Sequence, residues 1–150
     1  MSETYEVRLG DHSANDERLQ PVILIEHCDP DMMHLYQRLF HDWGYNNLLS
    51  AHDHAEAVSL AERVHCDLIV LDIISPGGGM GNDATRAIKA IYEDRGGVPI
   101  IGTSTWSERA EELFMEAGAD IFVPFPFRND ELRDVVQRLL PHAHTTTSRS

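Results

Sequence analysis

The strongest constraint on the fold is a repeated change of period along the chain. Val22–Ile25 and Leu68–Leu71 are unbroken apolar runs, and Val98–Ile101 is nearly so. Runs without polar alternation are expected of strands buried on both faces. Asn47–Ser50 and Ile121–Val123 are weaker strand candidates. Each run is followed by a segment of helical spacing. Asp29 and Pro30 form a helix start, cap then first-turn proline, with Met32, Leu35, Tyr36, Leu39, Phe40 and Trp43 on one face and Gly44 as the stop. Asp53 caps a helix with Ala57, Val58, Ala61 and Val64 inward, and a glycine-rich loop from Pro76 to Gly81 leads to one with Ala84, Ala87, Ile88, Ile91 and Tyr92. Ser107 opens a helix carrying Ala110, Leu113, Phe114 and Ala117 and ending at Gly118, and Asn129 or Asp130 opens the last, with Leu132, Val135, Val136, Leu139 and Leu140 inward. Five βα units predict an α/β fold: a doubly wound, five-stranded parallel sheet in the order 2-1-3-4-5. Functional groups then belong at the carboxyl ends of the strands, at Glu26–Asp29, Asp72–Gly81, Gly102–Ser104 and Pro124–Pro126.

The chain of 150 residues suits one domain. Residues 1–20 read as a polar arm, 21–141 as the domain and 142–150 as a flexible tail, too short for a folded effector, so a stand-alone module is expected. No run nears the roughly 20 apolar residues of a membrane span, and no signal-peptide core opens the chain. The net charge of −13 argues against nucleic acid and anionic membranes as direct partners. Two cysteines, Cys28 and Cys66, make no disulfide framework, and a cytoplasmic location is expected. Nine histidines, including the pairs His52/His54 and His142/His144, form no zinc pattern. The twelve basic residues are eleven arginines and a single lysine, Lys89.

Three stretches carry a resemblance. Cys66–Asp72 (CDLIVLD), followed by Pro76 and the glycine loop, resembles the third strand of response regulator receiver domains of two-component signalling, a flavodoxin-like fold. Pro99–Thr105 (PIIGTST) resembles their fourth strand, and Glu116–Phe127 (EAGADIFVPFPF) resembles their EAGADDYLTKPF stretch. The resemblance runs from about Val22 to Leu140 and implies a phosphorelay module rather than an enzyme. It makes Asp72 the phosphoacceptor candidate, Ser104 the switch hydroxyl and Phe122 the switch aromatic. It also implies Mg²⁺, held by acids after the first strand, by the acceptor and by the carbonyl two residues on: here Glu26, Asp72 and Ile74.

Against that pattern the chain departs twice. The acid pair falls on Glu26-His27 counted from the strand, or on His27-Cys28 counted back from Met32; the first register is preferred because the second would leave the Glu26 carboxylate unpaired inside a buried strand. Either register puts His27 there, and imidazole suits softer metals than Mg²⁺. The lysine of the family motif is Phe125 here. Lys89 lies on another element, and Arg128 would reach the site only by loop rearrangement. The expectation is an atypical receiver acting by protein–protein contact with a histidine kinase, a phosphotransfer protein or an effector, with a weakened Mg²⁺ site and phosphorylation at Asp72 impaired or absent. Trp106, Phe114, Phe125 and Phe127 are expected near the contact face of the fourth helix, fifth strand and fifth helix. The alternatives are a working phosphoacceptor and, in another class, metal or redox sensing through His27, Cys28 and Asp72. A flavin-binding protein would need a phosphate loop after the first strand, where Glu26–Asp29 is acidic and glycine-free.

Overall fold

A computed structural model of the protein describes residues 20–72, 81–105 and 107–140. The expected arm up to residue 19, the tail, Ile74, the Pro76–Met80 part of the glycine loop, Trp106 and the histidines at 142 and 144 lie outside the described residues. Strands β1 (Val22–Glu26), β2 (Asn47–Ala51), β3 (Leu68–Asp72), β4 (Ile100–Thr105) and β5 (Ile121–Phe125) alternate with helices α1 (Pro30–Asp42), α2 (His54–Arg63), α3 (Gly81–Tyr92), α4 (Glu108–Ala117) and α5 (Asn129–Leu139). All four strand pairings of the sheet are parallel and its order is β2-β1-β3-β4-β5, as the alternation predicts.

Strand alternation splits the core into two layers. Leu24, Ile69, Leu71, Ile100 and Phe122 face α2, α3 and α4, packing on Ala57, Ile88 and Phe114. Ile23, Ile25, Leu68, Val70, Ile101 and Val123 face α1 and α5, packing on Tyr36, Phe40 and Val136. Three caps form as read from the sequence: Asp29 accepts from the Asp31 amide (3.0 Å), Asp53 from Glu56 (2.8 Å) and Ser107 from Ala110 (3.0 Å).

Two expectations need correction. The fourth strand starts at Ile100 rather than Val98, because Pro99 has no N–H for the ladder, and it continues to Thr105. Thr103 and Ser104 are therefore strand residues. On α1 the buried methionine is Met33, whereas Met32 is only half-buried.

Three local devices fix the frame around the strand ends. Tyr92 is fully buried, its hydroxyl accepting from the Cys66 amide (2.9 Å) and lying 2.7 Å from the Ala61 carbonyl and 3.0 Å from that of Val64. Gly102 lets the Phe114 ring lie on the β4 backbone; a Cβ there would sit 2.5 Å from Phe114 Cγ. Lys89 Nζ donates to the Val98 carbonyl (2.9 Å) and to Asp120 Oδ2 (2.8 Å), and that same oxygen accepts from the Ile100 amide (2.8 Å). The lone lysine is thus a tether between α3 and the starts of β4 and β5.

Candidate functional site

The carboxyl ends of β1, β3, β4 and β5 converge on a cleft of about 270 Å³. Asp72, Thr103 and Ser104 form part of its lining, with Thr105 and Phe125 beyond them and His27, Met32 and Tyr36 opposite. The sheet register sets this: Asp72 pairs with Thr103, Ser104 with Pro124 and Thr105 with Phe125. Asp72, Ser104 and Phe125 are therefore brought together, as their places in the sequence imply.

Aromatic rings occupy much of the rim. His27 and Tyr36 have ring centroids 6.0 Å apart, Tyr36 and Phe127 6.0 Å, and Phe127 and Phe125 5.5 Å in an edge-on arrangement. The Phe125–Pro126 peptide is cis. Burial pushes the Tyr36 phenol up to about 12, so it stays a neutral hydroxyl. Among the described residues the cleft lining contains no Lys or Arg, and the sequence from 73 to 80 contains neither. Lys89 is committed to Asp120, and Arg128 pairs with Asp130 (3.2 Å) beside a separate groove of about 320 Å³ between β5 and α5.

The preferred register of the acid pair is corrected. Glu26 is the last residue of β1 and is fully buried. Alternation puts it on the side of Leu24, facing away from the cleft, while Asp72 shares the side of Val70. His27 lines the cleft and Cys28 follows it, exposed, so the count back from Met32 describes the geometry. Burial was the reason for preferring the other register, and the protein meets that cost by protonation. Burial, with a smaller push from the Asp72 charge, raises the Glu26 carboxyl to about 8, leaving it mostly neutral at pH 7. Its Oε1 accepts from the Asp72 amide (2.9 Å).

These residues do not fit Mg²⁺ as the resemblance implies. Glu26 is turned away, and the pair positions hold an imidazole and a thiol in place of carboxylates. His27 Nδ1 already accepts from the Asp29 amide (3.0 Å), so the neutral ring carries its proton on Nε2 and has no spare lone pair. Desolvation, then the charge of Asp72, raises the Cys28 thiol and disfavours the thiolate that would bind a metal or react. Among the described residues no three His, Cys, Asp or Glu side chains are placed to hold a metal, which leaves the His27/Cys28/Asp72 metal alternative without support.

Of the switch candidates, Ser104 is half-buried at the cleft. Phe122 is buried and packs on Phe114 at 5.8 Å, inward from the cleft. Phe114 is fully buried and belongs to the core rather than to a contact face. Sequence reading missed three residues here. Met32 and Tyr36 read as core on helical spacing, and His54 read as a surface histidine. The signal for His54 was its place one residue after the Asp53 cap, at the end of the strand paired with β1.

The model of the response regulator receiver domain family matches residues 22–137. The transcriptional regulatory protein CpxR of Escherichia coli strain K12 is 30% identical over 123 residues, 81% of this chain and 50% of CpxR. The transcriptional regulatory protein YvrH of Bacillus subtilis strain 168 is 30% identical over 129 residues, 85% of this chain and 52% of YvrH. The chain thus spans about half the length of the curated relatives it matches. Among solved structures, the receiver domain of sensor histidine kinase PA1611 from Pseudomonas aeruginosa PAO1, with a magnesium ion in its active site cleft, is similar at TM-score 0.71 and 29% identity, covering 80% of this chain and 97% of that one. The chemotaxis protein CheY4 of Vibrio cholerae shares the fold at TM-score 0.71 and 22% identity, covering 81% of this chain and 99% of CheY4. With the sheet order and the position of Asp72 already in place, the chain belongs to the response regulator receiver domain family of two-component signalling.

Proposed function

We propose that this receiver domain works by docking to a protein partner of a two-component pathway, with phosphoryl transfer to Asp72 impaired or absent. The observation that carries the reading is Phe125, a phenyl ring on the cleft wall where the family motif has its ammonium. A phosphoryl group gains charge on its oxygens during transfer and needs fixed cations beside it. The cleft lining supplies a carboxylate, hydroxyls and rings. Removing one preorganised charge-stabilising group costs about 10²–10³ in rate, and here both the ammonium and the acid pair are missing. The docking face is the α4–β5–α5 side, which the resemblance implies. Its support is the groove between the edge strand β5 and α5, whose rim carries Arg128 and Arg138 against Glu131 and Asp134.

A second reading, a working phosphoacceptor, draws on Asp72, Thr103 and Ser104 sharing one cleft. Titrating the protein with beryllofluoride and Mg²⁺ while following amide shifts separates the two. No saturable change at Asp72, Thr103 and Ser104 is expected, and saturable shifts there would establish the second reading. Partner capture with a histidine kinase or phosphotransfer protein should succeed equally with Asp72→Asn.

A further inference from the structure

Glu26 and His54 both grip the same residue from behind. Asp72 donates its amide to Glu26 Oε1 at 2.9 Å, and its carbonyl accepts from His54 Nε2 at 2.8 Å. The carbonyl has no proton to give, so His54 carries its proton on Nε2. Glu26 is fully buried and His54 is 8% exposed. Glu26 Oε2 and His54 Nδ1, the other polar atoms of the two side chains, have no hydrogen-bond partner among the described residues. An aliphatic residue at either place would avoid that desolvation cost. The hydrogen bonds that offset it both go to the peptide groups of Asp72.

The sheet register gives these contacts a task. The β1·β3 pairing stops at Ile25↔Val70, although β1 stays paired with β2 to Glu26↔Ala51 and β3 with β4 to Asp72↔Thr103. The ladder between the two central strands is thus open at the residue that presents the carboxylate. We propose that Glu26 and His54 are positioning residues: together they replace the missing rung, lock the Asp72 backbone and so aim its carboxylate into the cleft. Glu26 ties Asp72 to the end of β1, and His54 ties it to the first turn of α2. The inference goes beyond the reading above and does not rest on it, since it concerns how the Asp72 backbone is held whether or not its carboxylate takes a phosphoryl group.

The experiment is NMR on the whole chain without phosphoryl donor or partner, so its outcome is separate from that of the docking reading. Amide exchange at Asp72 is compared with that at Val70, and the Asp72 side-chain rotamer is read from its α–β proton couplings. In Glu26→Val the Asp72 amide should exchange about tenfold or more faster relative to Val70, with the side chain averaging over rotamers. Glu26→Gln keeps the acceptor and should restore both readings. In His54→Leu the Asp72 carbonyl carbon shift and the rotamer populations should move, with Val70 unchanged. Plain core filling would instead change Asp72 and Val70 together and would not distinguish Val from Gln. If Asp72 keeps its protection and its single rotamer in both Glu26→Val and His54→Leu, the proposal is overturned.

Discussion

Replacing Glu26 with glutamine should remove a pH dependence that the wild-type fold carries. The folded carboxyl titrates at about 8 against an ordinary 4.5, chiefly because it is buried, with the Asp72 and Asp53 charges acting in the same direction. The folded chain therefore keeps a proton that the unfolded chain gives up. Stability is greatest below the unfolded value and declines as pH climbs toward 8, by about 1.4 kcal/mol per pH unit where the two states differ by a full proton. Between about pH 5 and pH 7 the accumulated loss is about 2–3 kcal/mol. That is a large part of the 5–15 kcal/mol of a typical domain, at about the scale of one well-placed core side chain. Glutamine keeps an oxygen for the Asp72 amide and has no proton to lose, so the difference between the two proteins reports residue 26 together with the groups in contact with it, His54 at 3.6 Å and Asp72, and cancels the titration of distant groups. Urea unfolding at a series of pH values is the assay. The midpoint of Glu26→Gln should pull ahead of wild type as pH rises, at unchanged slope. Parallel curves would refute the argument, because they would mean that Glu26 is charged in the fold as it is in the open chain.

Gly102→Ala sets a methyl against the fully buried Phe114 ring and should destabilise by about 1–3 kcal/mol, with Phe114→Leu recovering part of the loss in the double variant; thermal unfolding of all three proteins tests it. Tyr92→Phe leaves the Cys66 amide without its acceptor and should lower stability by about 1–3 kcal/mol with the fold retained, read by chemical denaturation and far-UV dichroism. Rebuilding the cleft with Phe125→Lys, His27→Asp and Cys28→Asp together should create a Mg²⁺-dependent beryllofluoride response at Asp72, whereas Phe125→Lys alone should not. A response in wild type equal to that of the triple variant would contradict the missing-cation argument.

The fold was legible because strands buried on both faces leave continuous apolar runs, and helices between them leave a different period. Asp29, Asp53 and Ser107 announced their helices because capping is local chemistry, decided within a few residues. Asp72, Ser104 and Phe125 could be placed together since each ends a strand, and parallel strands bring those ends to one edge. Glu26 could not be read the same way. A glutamate after an apolar run looks like the residue that leaves the core, and the rule that buried carboxylates are costly pointed the same way. What overrode it was protonation together with the Asp72 amide, a partner 46 positions along the chain. His54 was hidden for the same reason, because its partner, the Asp72 carbonyl, lies across the sheet. Met32 and Tyr36 share the helical spacing of the core, and spacing alone does not tell a core wall from a cleft wall.

Lys89 makes the molecule sparse in one kind of reactivity. Its Nζ is the only side-chain amine in the sequence, and it is occupied by a carboxylate and a carbonyl. An acylating reagent needs the free amine lone pair, so this side chain reacts when its Nζ leaves Val98 and Asp120 and gives up its proton. Acetylation there would trade a charged tether for a neutral amide, cutting the link between α3 and the Asp120 turn that leads into β5. The rate at which an amine-selective label appears on residue 89 is consequently a clock for release of that side-chain tether, free of background from other lysines.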